Sequence, residues 1–196
     1  MADGAGSTPV LSATSHMSRA IRHDPAVVEG ERARGEATVT DLAAAQLAEI
    51  CRQAEAGYPE EVFGLVIGRR DASRTFRIRA MTNLANRQPV AGPDGIPRDA
   101  RTAYMMDARE YLTVQDEMDR DGLEMLMIYH SHPDHDANFS PTDRQWALMT
   151  DGVPLWPGVT YLVVSVRAGR TVEASSFGWD PAARDFTQRR VELPAG

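Results

Sequence analysis

One stretch restricts this chain more than any other: the apolar run Leu123 to Tyr129, which ends directly on His130-Ser131-His132-Pro133-Asp134-His135. A run this short and this apolar reads as a buried strand. Three of the five histidines in the chain fall within those six residues, so titratable groups are delivered to the end of a rigid element. Residues i and i+2 of a strand share a face, roughly 6.6 Å apart along the chain, and His130 and His132 can therefore converge on one metal ion. A catalytic zinc takes three protein ligands and keeps a position open, and Asp143 is the nearest candidate for the third. Ser140-Pro141-Thr142-Asp143 is also a helix start, with Ser at the N-cap, Pro at N1 and an acid at N3. That signature alone accounts for Ser140 and Asp143, and a hydrogen-bonded pair at a strand end would account for the histidines. Their conjunction is what points to a metal. A two-His, one-carboxylate set suits zinc and also Fe(II).

A hydrolytic metal site also needs a base to accept a proton from water. Glu60 and Glu61 open a second apolar run, Val62 to Ile67. An acidic pair in that place is either a solvated turn or a way of aiming one carboxylate from the end of a sheet at the metal.

The rest of the chain reads as one α/β domain over residues 38–196 behind a tail. Residues 1–37 hold no aromatic and few large aliphatic side chains, too little apolar surface to offset ordering entropy, so a mostly disordered tail is expected. Ser15-His16-Met17 looks like a cloning-vector scar. A first helix is expected from a Thr40 cap, with Asp41 in its first turn and Leu42, Leu47, Ile50, Cys51 and Ala54 at helical spacing, closed by Gly57-Tyr58-Pro59. Further strands are expected at Phe76–Met81, Val159–Val166, Val172–Trp179 and Phe186–Leu193, and helices at Ala108–Arg120 and Pro141–Met149. Residues 86–103, punctuated by prolines and glycines, read as a long solvated loop. Strands and helices mixed in this order imply a mixed sheet with helices packed on it.

Composition narrows the function. Cys51 is the single cysteine of the 196 residues, which excludes an internal disulfide and multi-cysteine metal sites; its place in an apolar helical stripe makes it a buried hydrophobe. A formal charge of −7 argues against nucleic acid as a partner. No apolar run reaches the roughly 20 residues of a membrane span, and no signal peptide is recognisable, so a cytoplasmic location is expected. All 21 basic residues are arginine. Codon usage in a GC-rich genome explains this, although a lysine-free chain also could not become an isopeptide-linked target itself.

His130-x-His132, seven residues beginning with Pro133 and then Ser140-x-x-Asp143 resembles the signature of the JAMM (MPN-domain) metallopeptidases, in their compact bacterial form. Pro59-Glu60-Glu61-Val62-Phe63-Gly64 resembles the Pro-x-Glu-x-x-Gly segment of that family, which aligns its glutamate with Glu61, and Met106-Asp107 before a helix follows the family order. The likeness spans about residues 40–180. It implies a curved mixed sheet flanked by helices, similar to cytidine deaminases, with one Zn2+ held by His130, His132 and Asp143. Glu61 would be the general base and then the acid that protonates the leaving amine. Ser140 would donate a hydrogen bond to the developing oxyanion, although one hydroxyl proton cannot serve cap and catalysis at once. Many bacterial relatives carry a cysteine shortly after the glutamate, where this chain has Val62 and Phe63. His135 is not a family ligand and is expected at the rim. Phe139 and Trp146 are candidates for a substrate groove, with core the better expectation for Trp146.

The activity implied is hydrolysis after the Gly-Gly tail of a ubiquitin-like or sulfur-carrier protein, with activating and conjugating enzymes as further partners. Such a tail could add beside an exposed strand edge and thread toward the metal. Its substrate would be either a precursor tail or amino-acid adduct on a sulfur carrier, or an isopeptide-linked conjugate. The alternative is a catalytically silent scaffold that binds partner proteins. A nucleobase deaminase is set aside, because those enzymes use a Cys-x-x-Cys pair.

Overall fold

The computed structural model describes residues 42–194. The tail expected over residues 1–37, the Ser15-His16-Met17 scar, the Thr40 cap and Asp41 all lie outside the described residues. Helix α1 runs Ala44–Gly57, with the Ala43 N–H donating to Gln46 Oε1 at 2.8 Å. Strands β1 (Phe63–Arg69) and β2 (Ala72–Met81) form a hairpin. The short strands β3 (Val90–Ala91) and β4 (Pro97–Arg98) form a second, smaller one. Helix α2 (Ala108–Asp121), strand β5 (Glu124–Pro133), helix α3 (Pro141–Ala147) and strands β6 (Thr160–Arg167), β7 (Arg170–Asp180) and β8 (Asp185–Val191) follow. The main sheet has the order β2-β1-β5-β6-β7-β8; β5 and β6 are parallel and the other neighbours antiparallel. This is the curved mixed α/β sheet with flanking helices that the sequence implies.

β5 is hydrogen-bonded on both sides and is buried from Met125 to Pro133. It runs four residues further than the apolar run alone indicates, because the histidines pair with β6 as ladder residues, His130 opposite Val163 and His132 opposite Ser165. The two faces of the sheet carry separate cores. Leu47, Ile50, Cys51 and Ala54 of α1 pack on Val66, Leu126, Met127, Leu162 and Val164. On the other face Tyr111, Val114 and Met118 of α2 pack on Phe63, Leu65, Ile67, Ile128 and Val163. β5 changes step once. Val66 pairs with Met127 but Ile67 with Met125, so Leu126 is a bulge residue and both it and Met127 turn toward α1. Beyond the bulge alternation resumes, which brings His130 and His132 to the α2 face with Ile128.

Residues 86–103 are largely exposed, as expected of a solvated loop, but carry local order. Their β3–β4 hairpin stands on a small third core of Ala85, Val90, Ala100 and Ala103, with Met105 and Trp146 packed against it. Charge ties β2 to α2: Glu117 meets Arg77 Nη1 at 2.7 Å and Arg79 Nε at 2.8 Å. Those forks hold the Glu117 carboxyl at about 2, Arg79 contributing most. Among the described residues no helix is long and apolar enough to cross a membrane.

Gly64 is where β1 and β5 pack most tightly. A Cβ there would collide with the Tyr129 hydroxyl and the Arg79 carbonyl oxygen, and Tyr129 is held in place by its hydrogen bond to Gln53. Gly64→Ala should therefore destabilise the protein by about 2 kcal/mol or more, read as a lowered midpoint in thermal or urea unfolding. A midpoint unchanged from wild type would show that the β1–β5 spacing is not tight here.

Candidate functional site

Burial shapes the site from its floor upward. His130 is fully buried and His132 is 6% exposed, so each imidazole must find its partners inside the protein. The His132 Nδ1 lies 2.9 Å from the Asp136 carbonyl oxygen. A carbonyl can only accept, so Nδ1 carries the proton and Nε2 presents its lone pair inward. Tyr104 lies against His130, ring centroids 4.9 Å apart, and stacks on Phe63 at 4.7 Å.

α3 supplies the carboxylate. Ser140 caps that helix by accepting from the Asp143 N–H at 3.1 Å, and its own N–H donates to Asp143 Oδ2 at 2.8 Å. The cap thus uses a lone pair of the Ser140 hydroxyl and leaves its proton free, which removes the conflict between capping and donation to an oxyanion. Asp143 then reaches back to the strand, Oδ1 3.2 Å from His130 Nε2 and Oδ2 3.4 Å from His132 Nε2. The two Nε2 atoms are 3.1 Å apart. Ligands around a tetrahedral zinc at about 2.0–2.1 Å are separated by roughly 3.3–3.4 Å, so these residues fit such an ion in chemistry and in spacing. Burial pulls the His130 imidazole below its ordinary pKa. For His132, burial pulls the same way, but the Asp143 carboxylate outweighs it and raises the imidazole. Burial alone would raise Asp143, yet the two imidazoles hold it well below the usual carboxylate range.

Glu61 completes the cluster. Phe63, Leu65 and Ile67 face α2, and the same alternation carries Glu61 to that side, 5% exposed. Glu60 points to solvent, where it accepts from Asn86 Nδ2 at 2.7 Å. Glu61 Oε2 is buried without a hydrogen-bond partner among the described residues. Its carboxyl is raised to about 8, chiefly by burial, with His132 opposing and Asp143 reinforcing the shift. Its backbone N–H donates to the Ala100 carbonyl at 2.5 Å. Ser131, between the two histidines, stitches the next residue to β5: its Oγ accepts from the Val62 N–H at 2.9 Å, and its own N–H donates to the Val62 carbonyl at 2.9 Å.

A groove opens over Glu61, His132 and Ser140, walled by Pro93 and Arg98 of the hairpin and by Asn138 across from it. His135 is exposed at its rim. Phe139 is not in the groove but in an aromatic core with Tyr161, Phe177 and Phe186. Trp146 packs under the hairpin. Tyr104, Ser131 and Asn83 were not singled out by the sequence. Ser131 is legible only as the middle residue of His-x-His, and nothing local marks the other two.

Two imidazoles of β5 and a carboxylate of α3 thus lie within 4.8 Å of one another, where they could hold a metal ion, beside Glu61, whose Oε2 has no hydrogen-bond partner among the described residues. The family model for prokaryotic homologues of the JAB domain matches residues 43–177, and the chain belongs to that family. Among curated relatives, the chain is similar to the desampylase of Haloferax volcanii, 30% identical over 107 residues, 55% of this chain and 63% of that one. It is also similar to a probable TtuB-protein conjugate cleaving protease of Thermus thermophilus, 33% identical over 103 residues, 48% of this chain and 60% of that one. The matches thus span about three-fifths of the length of those relatives. A Desulfitobacterium hafniense protein solved in solution shares the fold at a TM-score of 0.54 and 26% identity, over 78% of this chain and 90% of that one.

The raised Glu61 carboxyl predicts a pH dependence in the metal-free protein. Below about pH 4.5 the carboxyl is protonated in both folded and unfolded chains. Between there and about pH 8 the unfolded chain ionises while the folded one holds its proton, so stability falls as pH rises. Glu61→Gln should match wild type near pH 4 and exceed it at pH 8 by on the order of 3 kcal/mol. Urea unfolding in chelator at the two pH values reads the difference, and equal curves at pH 8 would contradict the desolvation of Glu61.

Proposed function

We propose that this protein is a zinc-dependent isopeptidase that hydrolyses the bond after the C-terminal Gly-Gly of a ubiquitin-like or sulfur-carrier protein. The observation that carries the reading is the convergence of His130 Nε2, His132 Nε2 and the Asp143 carboxylate next to buried Glu61, whose Oε2 has no hydrogen-bond partner among the described residues. His130, His132 and Asp143 would hold the zinc, which supplies a Lewis acid for the scissile carbonyl and an acidified water. Glu61 takes the proton of the attacking water at its carboxylate. It would then deliver that proton to the departing amine nitrogen. Ser140, with its Oγ lone pair engaged by the Asp143 N–H and its proton free, donates to the oxygen on which charge develops. The groove between the hairpin and the loop before α3 admits an extended, small-residue tail. The relatives named for desampylation and for TtuB-conjugate cleavage support a protein conjugate as substrate.

Metal content and cleavage of a Gly-Gly-terminated ubiquitin-like fusion, measured together on variants, test the reading. Wild type and Glu61→Ala should each bind about one zinc, with cleavage lost in the variant by roughly 100-fold or more. His130→Ala should lose both metal and activity. Ser140→Ala should keep the metal, lose about 1 kcal/mol of stability with its cap and fall roughly 100-fold in kcat. Metal-loaded wild type that cleaves neither conjugates nor carrier adducts would point to the scaffold alternative, and wild type that takes up no metal would overturn the mechanism.

A further inference from the structure

The Glu61 backbone lies just outside the ladder of the main sheet, whose β1–β5 pairing begins at Phe63 opposite His130. Its two backbone groups are therefore held by other means. The N–H goes to Ala100, and the carbonyl accepts from Asn83 Nδ2 at 2.9 Å. Asn83 does more than this. The same amide nitrogen donates to the Ala103 carbonyl at 3.1 Å, and Oδ1 accepts from the Ala85 N–H at 2.9 Å and the Met105 N–H at 3.0 Å. An asparagine side chain has two donors and an oxygen that accepts two bonds, and all four are used on backbone groups of three different segments. The orientation of the amide follows from the network, since a flipped amide would set NH2 against two N–H groups and oxygen against two carbonyls. One of those segments brackets Tyr104, the ring that lies on His130.

We propose that Asn83 is a positioning residue for the reaction: its amide fixes where Glu61 stands relative to the histidine–aspartate cluster by holding the Glu61 carbonyl. The inference rests on Glu61 acting as the base. The four hydrogen bonds of the Asn83 side chain go to the backbone of Glu61, Ala85, Ala103 and Met105, so it acts through Glu61. Its donor half and its acceptor half are separable, and this makes the role testable.

Asn83→Asp keeps the acceptor toward Ala85 and Met105 while facing the Glu61 and Ala103 carbonyls with an oxygen instead of NH2. With the Gly-Gly fusion as substrate, kcat should fall roughly 10- to 100-fold, with KM within about twofold and zinc content at the wild-type level. Cys51→Ala, in the opposite core, is the control for a general loss of stability and should leave kcat unchanged. In a Glu61→Ala background, Asn83→Asp should add no further loss of the residual rate. A loss carried by KM, a loss no larger than that of Cys51→Ala, or one that adds in full to that of Glu61→Ala would overturn the assignment. If Glu61→Ala itself keeps wild-type activity, the base has been misassigned, a result distinct from any of these. Should Asn83→Asp not fold, amide exchange in the wild type decides: the Ala85 and Met105 N–H groups must be protected well beyond their loop neighbours, and exchange at the unprotected rate would show that the hub does not exist.

Discussion

β5 has no free edge and no wet face. β1 bonds it on one side and β6 on the other, and helices cover the sheet above and below. Any polar side chain placed on it must be satisfied by protein groups or leave an unpaired dipole in a water-poor interior, at a cost of about 1–3 kcal/mol. His130 and His132 meet that condition only in part: the Asp136 carbonyl accepts from Nδ1 of His132, whereas Nδ1 of His130 has no partner among the described residues. Asp143 stands with one carboxylate oxygen toward each Nε2. The start of α3 is placed by this need as much as by its own capping residues. The cap of Ser140 and the reach of Asp143 are one hydrogen-bonded unit, so the helix cannot slide without breaking the cluster.

Glu61 Oε2, like His130 Nδ1, is buried without a hydrogen-bond partner among the described residues, although an arginine or a backbone N–H there would relieve its burial. Such a partner would also lower its proton affinity, and the group would then be a weaker base toward water. The stability forgone at Glu61 and the reactivity proposed for it come from the same desolvation. The rigidity around it fits that account: its own N–H and carbonyl are tied to Ala100 and Asn83, and the next residue, Val62, to Ser131.

What could be read from the chain was what is encoded locally. His130, His132, Ser140 and Asp143 lie within fourteen consecutive residues, and their spacing along one strand and one helix start determines which way they point. The α1 stripe and the β-branched strands were legible because amphipathic period and apolar runs are local properties. The choice of Glu61 over Glu60 came from the family resemblance, and the alternation through Phe63 explains it physically. The order within 86–103 was not legible because part of it comes from partners distant in sequence: Trp146 beneath it and Glu61 beside it. Asn83 was invisible for the same reason, since an asparagine after a strand usually marks a turn and its four partners are spread over residues 61 to 105.

The extra residue at Leu126 gives β5 an arithmetic of its own. From Met127 to His132 the strand alternates without interruption between the α1 core and the α2 core. Changes of side chain there alter packing, but a change in residue number alters handedness. One codon gained or lost between Met127 and His130 would carry both imidazoles through the sheet into the hydrocarbon around α1 and put Tyr129 and Ser131 where the histidine–aspartate cluster stands. The site is therefore far more sensitive to insertions and deletions over those few positions than to most substitutions. Homologous chains that differ in length should place their gaps at the Leu126 bulge or upstream of it, where the strand already accommodates a miscount.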